Sequence, residues 1–145
     1  MKKTSLLLFI ALLSCQLFAQ QKMSIPYSRF ETWAKQIKLT GYTLMECEND
    51  GGVDYTAMFM SGSDKFLQIR AGSAKLFKSN TSAMQNATAY VWNGCKTVYS
   101  FQAGMTLMIF EVPESDVCFT LGLMGKAEKA VMEDIASKIN PKSFK

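Results

Sequence analysis

The feature that most constrains the fold is a series of seven short apolar runs separated by clusters of turn-forming residues. Runs of this length, bounded by Gly, Asn, Asp and Ser, are typical of β-strands. The Asn93-Gly94 pair between two of them is the strongest short-range hairpin signal known. We therefore predict two antiparallel meanders, the first with strands at 42–48, 53–60 and 65–71, and the second with strands at 88–92, 95–101, 105–112 and 117–124.

Amphipathic segments flank the predicted strands at both ends. Ser28-Arg-Phe-Glu31 has the form of a capping box, and Gly41 supplies a stop. Within that segment, apolar residues recur at helical spacing at Phe30, Trp33, Ala34 and Ile37. A second helix is predicted from Lys126 to Asn140 and ends at Pro141, with one side lined by Ala127, Val131, Ile135 and Ile139.

These elements predict an α+β fold in one domain, residues 20–145. We expect a curved antiparallel sheet of about six to seven strands, with an N-terminal and a C-terminal helix packed on it. In the simplest arrangement each helix covers one face of the sheet. Residues 72–87 between the meanders are predicted to form a polar connection with a helical turn at Ala74 to Phe77.

The first nineteen residues predict export. Lys2 and Lys3 precede an apolar run from Leu6 to Leu13, which is too short to cross a bilayer core, and Ala19 is a small residue at the expected cut. This is the pattern of a signal peptide, residues 1–19. The mature protein is therefore predicted to be periplasmic or secreted.

The same leader also contains a motif for a second maturation route. Leu12-Leu13-Ser14-Cys15 has the form of a lipobox, after which Cys15 would carry lipid and anchor the protein in the cell envelope. We favour the cut after Ala19, because Gln16-Leu-Phe-Ala is too apolar for a typical tether. A membrane partner is expected only if Cys15 is lipidated.

One face of the second meander is predicted to carry a ligand-binding surface. If the turns fix the strand registers, aromatic and apolar side chains share that face: Tyr90, Trp92, Tyr99, Phe101, Met105 and Leu107. Monomeric proteins rarely expose so large an apolar patch. The face is then either covered by a helix or open as a groove for a peptide or a small apolar ligand.

The first meander suggests a soft-metal alternative. The predicted registers place sulfur atoms on one face at Met45, Cys47, Met58 and Met60. Thioether and thiolate ligands select Cu(I). Methionine also serves as a gap-filler in cores, so this Cu(I) site is the alternative interpretation.

Composition excludes several chemistries. The chain contains no histidine, which rules out within it a Ser-His-Asp triad, a Cys-His dyad and a histidine-based zinc site. Loss of Lys2 and Lys3 lowers the formal charge of +4 to +2, and no basic cluster indicates nucleic acid as a partner. No cofactor and no catalytic residue is predicted, with a small carboxylate-dependent hydrolase as the less favoured alternative.

Three cysteines remain after maturation, at Cys47, Cys95 and Cys118. The predicted turns place Glu111 opposite Cys95 on one side and opposite Cys118 on the other. The two cysteines would then lie two strands apart, about 10 Å at the usual strand spacing. A disulfide between them is not expected, because it needs Cα atoms within about 7 Å.

These observations together predict an exported, non-enzymatic binding or protein-interaction domain. Its partner would be a protein, a peptide or a small apolar ligand.

Maturation can be tested by mass. We expect the exported protein to begin at Gln20 and to enter the aqueous phase of a detergent extraction, because the apolar leader has been removed. Intact-mass measurement checks the cut. A diacyl or triacyl adduct on Cys15 would show that the lipoprotein route operates instead.

Overall fold

The computed structural model describes residues 21–144, so the predicted signal peptide and Cys15 lie outside the described residues. Three α-helices are formed: α1 (Tyr27–Gln36), α2 (Phe77–Ser82) and α3 (Lys129–Lys138). Seven strands are formed: β1 (Thr43–Asp50), β2 (Asp54–Ser61), β3 (Lys65–Ser73), β4 (Thr88–Trp92), β5 (Cys95–Gln102), β6 (Met105–Glu111) and β7 (Val117–Met124). Within residues 21–144 no helix has the length and apolarity needed to cross a membrane.

The seven strands form a single antiparallel sheet in the order β1-β2-β3-β7-β6-β5-β4. Both predicted meanders are present, and the α+β prediction is confirmed. Strand β3 joins them by pairing with β7 from Leu67 opposite Leu123 to Ser73 opposite Val117. The Asn93-Gly94 hairpin is also present, with Trp92 opposite Cys95.

Both long helices pack on the same face of the sheet, which we call the helix-side face. One buried cluster contains α1 residues, α3 residues and the inward side chains of β2, β3, β6 and β7. At its centre, Phe119 of β7 lies 5.3 Å from Trp33 of α1 and 5.6 Å from Phe110 of β6, measured between ring centroids. The expectation of one helix on each face is therefore wrong.

Helix α1 begins earlier than the capping box predicts. Pro26, in extended conformation, stands directly before the first helical residue, and no side chain caps the helix. Proline suits this position because a helix start leaves its backbone N–H groups unpaired anyway. Ser28 lies inside the helix, where its carbonyl oxygen accepts a bond from the Thr32 hydroxyl at 2.9 Å.

Helix α3 begins at Lys129 rather than Lys126, because the preceding segment is bonded to the sheet. The Ala127 N–H donates to the Thr106 hydroxyl at 2.9 Å, and the Tyr99 hydroxyl donates to the Ala127 carbonyl at 2.5 Å. Of the predicted side, Ile135 and Ile139 are buried and Ala127 packs against the core, whereas Val131 points to solvent. Val131 is 47% exposed, while the buried residues within α3 are Met132, Ile135 and Ala136.

Residues 74–87 cross the opposite face of the sheet, which we call the outer face. A 3₁₀ turn (Ala74–Leu76) leads into α2, which lies against β6, so the predicted helical turn extends to Ser82. The segment is tied down at Gln85, whose N–H donates to the Gln102 side-chain oxygen at 2.7 Å and whose carbonyl accepts from the Ser100 hydroxyl at 2.6 Å. It covers the outer face of β5 and β6.

Three predicted strand registers are wrong. In the first meander Asp50 pairs with Asp54 and Ser61 with Lys65, so β1–β2 and β2–β3 pair further into their turns than predicted.

In the second meander the β5–β6 register is wrong by one residue. Gln102 pairs with Met105, so Ala103 and Gly104 alone form the turn between β5 and β6. A longer turn starting at Gln102 would have placed Glu111 opposite Cys95. In the structure Glu111 pairs with Cys118 but not with Cys95. Because side chains alternate between the two faces, this slip moves every β6 side chain to the other face relative to β5.

The turn itself provides a stability test. Ala103 adopts φ +51°, a left-handed conformation that costs an ordinary residue about 1–2 kcal/mol but suits Asn. We expect Ala103→Asn to raise the free energy of unfolding by about 1 kcal/mol. Ala89→Asn, on the exposed edge strand β4, is the control and should lower it slightly, because Asn is unfavourable in strands. Urea denaturation measures both, and a loss of stability in Ala103→Asn would contradict the register.

Candidate functional site

A shallow groove lies between α1 and the C-terminal 3₁₀ turn (Pro141–Ser143). Its volume is about 340 Å³, within the range of small-molecule sites. Polar side chains edge it and two aromatic rings form its floor: Ser28, Arg29, Thr32, Trp33, Gln36, Ser143 and Phe144. A second hollow of about 170 Å³ shares Trp33, Gln36 and Ser143 and continues toward the end of α3.

Helical periodicity explains the polar edge of the groove. Ser28, Thr32 and Gln36 are spaced four residues apart, so they lie one above another on α1. The hydroxyl protons on both sides are already used: Thr32 donates to the Ser28 carbonyl, and Ser143 donates to the Asn140 carbonyl at 2.7 Å. These two hydroxyl oxygens can therefore accept hydrogen bonds from a ligand, and the Gln36 amide can both donate and accept.

The floor is built on Trp33. Its ring centroid lies 5.3 Å from that of Phe144, and the side chain is only 7% exposed. Its indole nitrogen is fully buried and has no hydrogen-bond acceptor among residues 21–144. A buried donor without an acceptor costs about 1–3 kcal/mol, so this N–H calls for an explanation.

The predicted aromatic surface is split by the structure. Tyr90, Trp92, Tyr99 and Phe101 do share the helix-side face, as their pairing with β5 and β6 shows. Met105 and Leu107 lie on the outer face, buried beside Phe66, so the six residues do not form one surface. The one-residue register difference between β5 and β6 is the cause.

Helix α3 covers part of the aromatic group. The Lys129 ammonium lies 4.4 Å from the centre of the Tyr90 ring, and Trp92 packs edge-on against Phe110. Burial, followed by the neighbouring Glu133 carboxylate, raises the pKa of the Tyr90 phenol. Trp92 and Tyr99 remain half-buried and Phe101 is exposed, so this group is a partly covered edge of the core rather than an open groove.

The predicted set of metal ligands is also divided. Cys47 pairs with Ala57 on the helix-side face, whereas Met58 and Met60 lie on the outer face. Met45 sits at a β-bulge between Leu44 and Glu46 and is 62% exposed. Cys47 is separated from the two methionines because Asp50 pairs with Asp54, a register that differs from the predicted one, and the bulge separately displaces Met45.

The carboxylates offer no convergent group. Within residues 21–144, no set of three or more Asp, Glu or Cys side chains could hold a metal ion. Asp54 is the buried carboxylate, and the Arg70 guanidinium binds both of its oxygens. This pair stabilises the outer face of β2 and β3 and leaves Asp54 committed to a structural contact.

All three cysteines of the described chain are free. Cys95 and Cys118 lie on opposite faces of the sheet, since Cys95 belongs to the helix-side cluster and Cys118 pairs with Glu111. Burial, and then the Glu111 carboxylate, raise the pKa of the Cys118 thiol to about 12. Burial also raises the pKa of the Cys95 and Cys47 thiols.

Thiol alkylation tests this arrangement. At pH 8 we expect iodoacetamide to label Cys47 first and slowly, and faster as pH rises, because the thiolate is the nucleophile and the pKa is raised. Cys95 and Cys118 should react only after unfolding. Peptide mapping reports each site, and rapid labelling of native Cys118, or a Cys95–Cys118 disulfide, would contradict the two-faced placement.

The sequence pattern does not reveal the groove, because Trp33 falls in the apolar stripe that predicts a core-facing side of the helix. The four-residue spacing of Ser28, Thr32 and Gln36 beside it was the available signal. The opposite wall, Ser143 and Phe144, carries no sequence signal, since tertiary packing alone brings it to α1.

Comparisons with protein-family models, with curated proteins and with solved structures yield no significant match.

Proposed function

We propose that this chain is an exported, non-enzymatic binding domain whose ligand lies in the groove over Trp33. The ligand is a small amphipathic molecule, such as the end of a peptide, with an apolar group on the Trp33 and Phe144 rings. A carbonyl or carboxylate oxygen of this ligand accepts the hydrogen bond of the Trp33 indole.

The unpartnered indole N–H of Trp33 carries the proposal. A ligand oxygen that reached it would recover the cost of about 1–3 kcal/mol that the free protein bears. Phe144 packs on the indole ring and lines the groove together with Trp33, so we infer that a ligand reaches the nitrogen by displacing Phe144. The hydroxyl and amide groups along the edge then supply orientation.

The sequence supports the remaining parts of the proposal. The leader supports export, with lipid attachment at Cys15 as the alternative. The absence of histidine and the engagement of Asp54 by Arg70 favour binding over hydrolysis. The aromatic group of Tyr90, Trp92 and Tyr99 is the second candidate site, because its rings are half-buried rather than fully enclosed.

Indole resonances distinguish the two sites. The described residues contain two tryptophans, Trp33 and Trp92, whose indole N–H signals are separately visible in a ¹⁵N correlation spectrum. Titration with N-acetyl dipeptides that bear an apolar side chain and a free carboxylate should shift the Trp33 signal downfield and leave the Trp92 signal unchanged. The variant Trp92→Phe assigns the two signals.

Matched variants complete the test. Trp33→Phe keeps an aromatic floor but removes the N–H, so it should weaken dipeptide binding by about 5- to 10-fold, the value of one net hydrogen bond. Lys126→Ala, remote from the groove lining, should bind like the wild type. A shift of the Trp92 signal alone would move the site to the aromatic group, and no shift at either tryptophan would contradict a peptide-binding function.

A further inference from the structure

Four methionines from three separate parts of the chain lie at one small apolar group on the outer face. Met58, Met60 and Met84 pack against a small buried group, separate from the main core, that contains Met105, Phe66 and Leu107. We call Met58, Met60, Met84 and Met105 the thioether cluster. They are four of the nine methionines in residues 21–144, and they come from β2, β6 and the segment that crosses the outer face.

Strand pairing places Met58, Met60 and Met105 on the outer face. A row of paired residues runs across the sheet from Met58 through Gln68 and Gly122 to Leu107. In the adjoining row, Met60 is opposite Phe66. Residues that pair across an antiparallel sheet project from the same face, so Met58 and Met60 point toward the surface on which Met105 lies.

Gly122 makes room for the third thioether. A Cβ atom at Gly122 would lie 3.0 Å from the methyl carbon of Met105 and 3.5 Å from a Leu107 methyl. The end of the Met105 side chain therefore lies over β7, having leaned from β6 toward the centre of the sheet. Any larger residue at 122 would push this thioether away.

The crossing segment supplies the fourth. Met84 stands immediately before Gln85, whose two hydrogen bonds to Ser100 and Gln102 fix the segment to the sheet. Met84 is also bonded through its backbone N–H to the Thr81 carbonyl at 3.1 Å. Its side chain is held above the face that carries the other three.

We propose that the thioether cluster binds one Cu(I) ion. Neutral sulfur ligands are soft and select Cu(I) over the harder divalent metals. Methionine can also fill gaps in a core, but Met58, Met60 and Met84 are only partly buried, so an ion reaches them from solvent. In an oxidising envelope thiols are readily converted to disulfides, whereas thioethers are not consumed in this way.

This site is independent of the proposed groove, because it lies on the opposite face of the sheet. It also differs from the sulfur set predicted from the sequence, since Met84 and Met105 replace Met45 and Cys47. Thioethers carry no proton at any ordinary pH. Cu(I) affinity is therefore expected to be constant between pH 5.5 and 8, whereas binding through thiols would strengthen as pH rises.

Methyl signals locate the ion. The chain is expressed at full length, purified as the host processes it, labelled with [¹³C-methyl]methionine and titrated with Ag(I), a redox-inert analogue of Cu(I). We expect the methyl signals of Met58, Met60, Met84 and Met105 to shift and saturate at one equivalent. The signals of Met45 and Met108 should not move, because one lies at the β1 bulge and the other in the main core.

Competition with bicinchoninate under ascorbate then measures Cu(I) affinity. Met58→Leu, Met60→Leu and Met105→Leu keep the apolar volume, and each should weaken binding by at least the roughly 10-fold that loss of an outer-shell partner costs. Met45→Leu is the control and should bind like the wild type, with thermal unfolding checking that each variant folds. Cys47→Ala should also retain full affinity.

Three results would overturn the proposal. One is no binding of either ion. Another is Cu(I) affinity that survives Met58→Leu, Met60→Leu and Met105→Leu combined in a chain that still folds. The third is affinity that disappears in Cys47→Ala alone or rises steeply with pH, since either would place the ion on a thiol. None of these results bears on dipeptide binding at Trp33.

Discussion

The pairing of β3 with β7 is the interaction on which the rest of the structure depends. It joins two meanders that are local in sequence through contacts between residues about fifty positions apart, from Leu67–Leu123 to Ser73–Val117. Closing so long a loop costs more conformational entropy than closing a local hairpin. This cost is offset by a continuous helix-side face on which Ile69, Leu121 and Phe119 are completely buried.

This pairing also determines where the connections lie. Strand β3 is third in the sheet and β4 is at its far edge, so the chain between them must pass over β7, β6 and β5. It passes on the outer face, which leaves the helix-side face to α1 and α3. The two proposed sites follow from this division, because the groove over Trp33 forms where α1 meets the C-terminal turn, and the thioether cluster forms beside the crossing segment.

Relative magnitudes explain why the Trp33 ring remains buried although its N–H has no acceptor. Emptying a core tryptophan site costs about 3–5 kcal/mol, whereas an unpaired N–H costs about 1–3 kcal/mol. Contacts with Phe30, Phe119 and Phe144 therefore outweigh the orphaned donor. Asp54 differs from Trp33 in that its polar atoms are paired: its burial is tolerated because Arg70 binds both carboxylate oxygens.

The sequence by itself determined the elements and which neighbouring strands pair as hairpins. Alternating apolar runs and turn residues specify the seven strands, and the Asn93-Gly94 turn specifies its hairpin, because these signals act over a few residues. The β5–β6 register was not predicted, because Ala103 occupies the first position of a two-residue turn, where its positive φ normally calls for Asn or Gly. The β1–β2 register was not predicted either, because Asp50 pairs with Asp54 inside the predicted turn, and this register divided the expected sulfur set.

Only the tertiary structure decided which surfaces the helices cover and which side chains meet. Nothing local places α1 and α3 on one face, brings Phe144 onto Trp33, or lays Met84 on the small buried group that contains Met105. These contacts depend on the β3–β7 pairing and on the direction in which the chain crosses the sheet. Both are determined by the total apolar surface that the whole domain buries, which cannot be read from any short stretch of sequence.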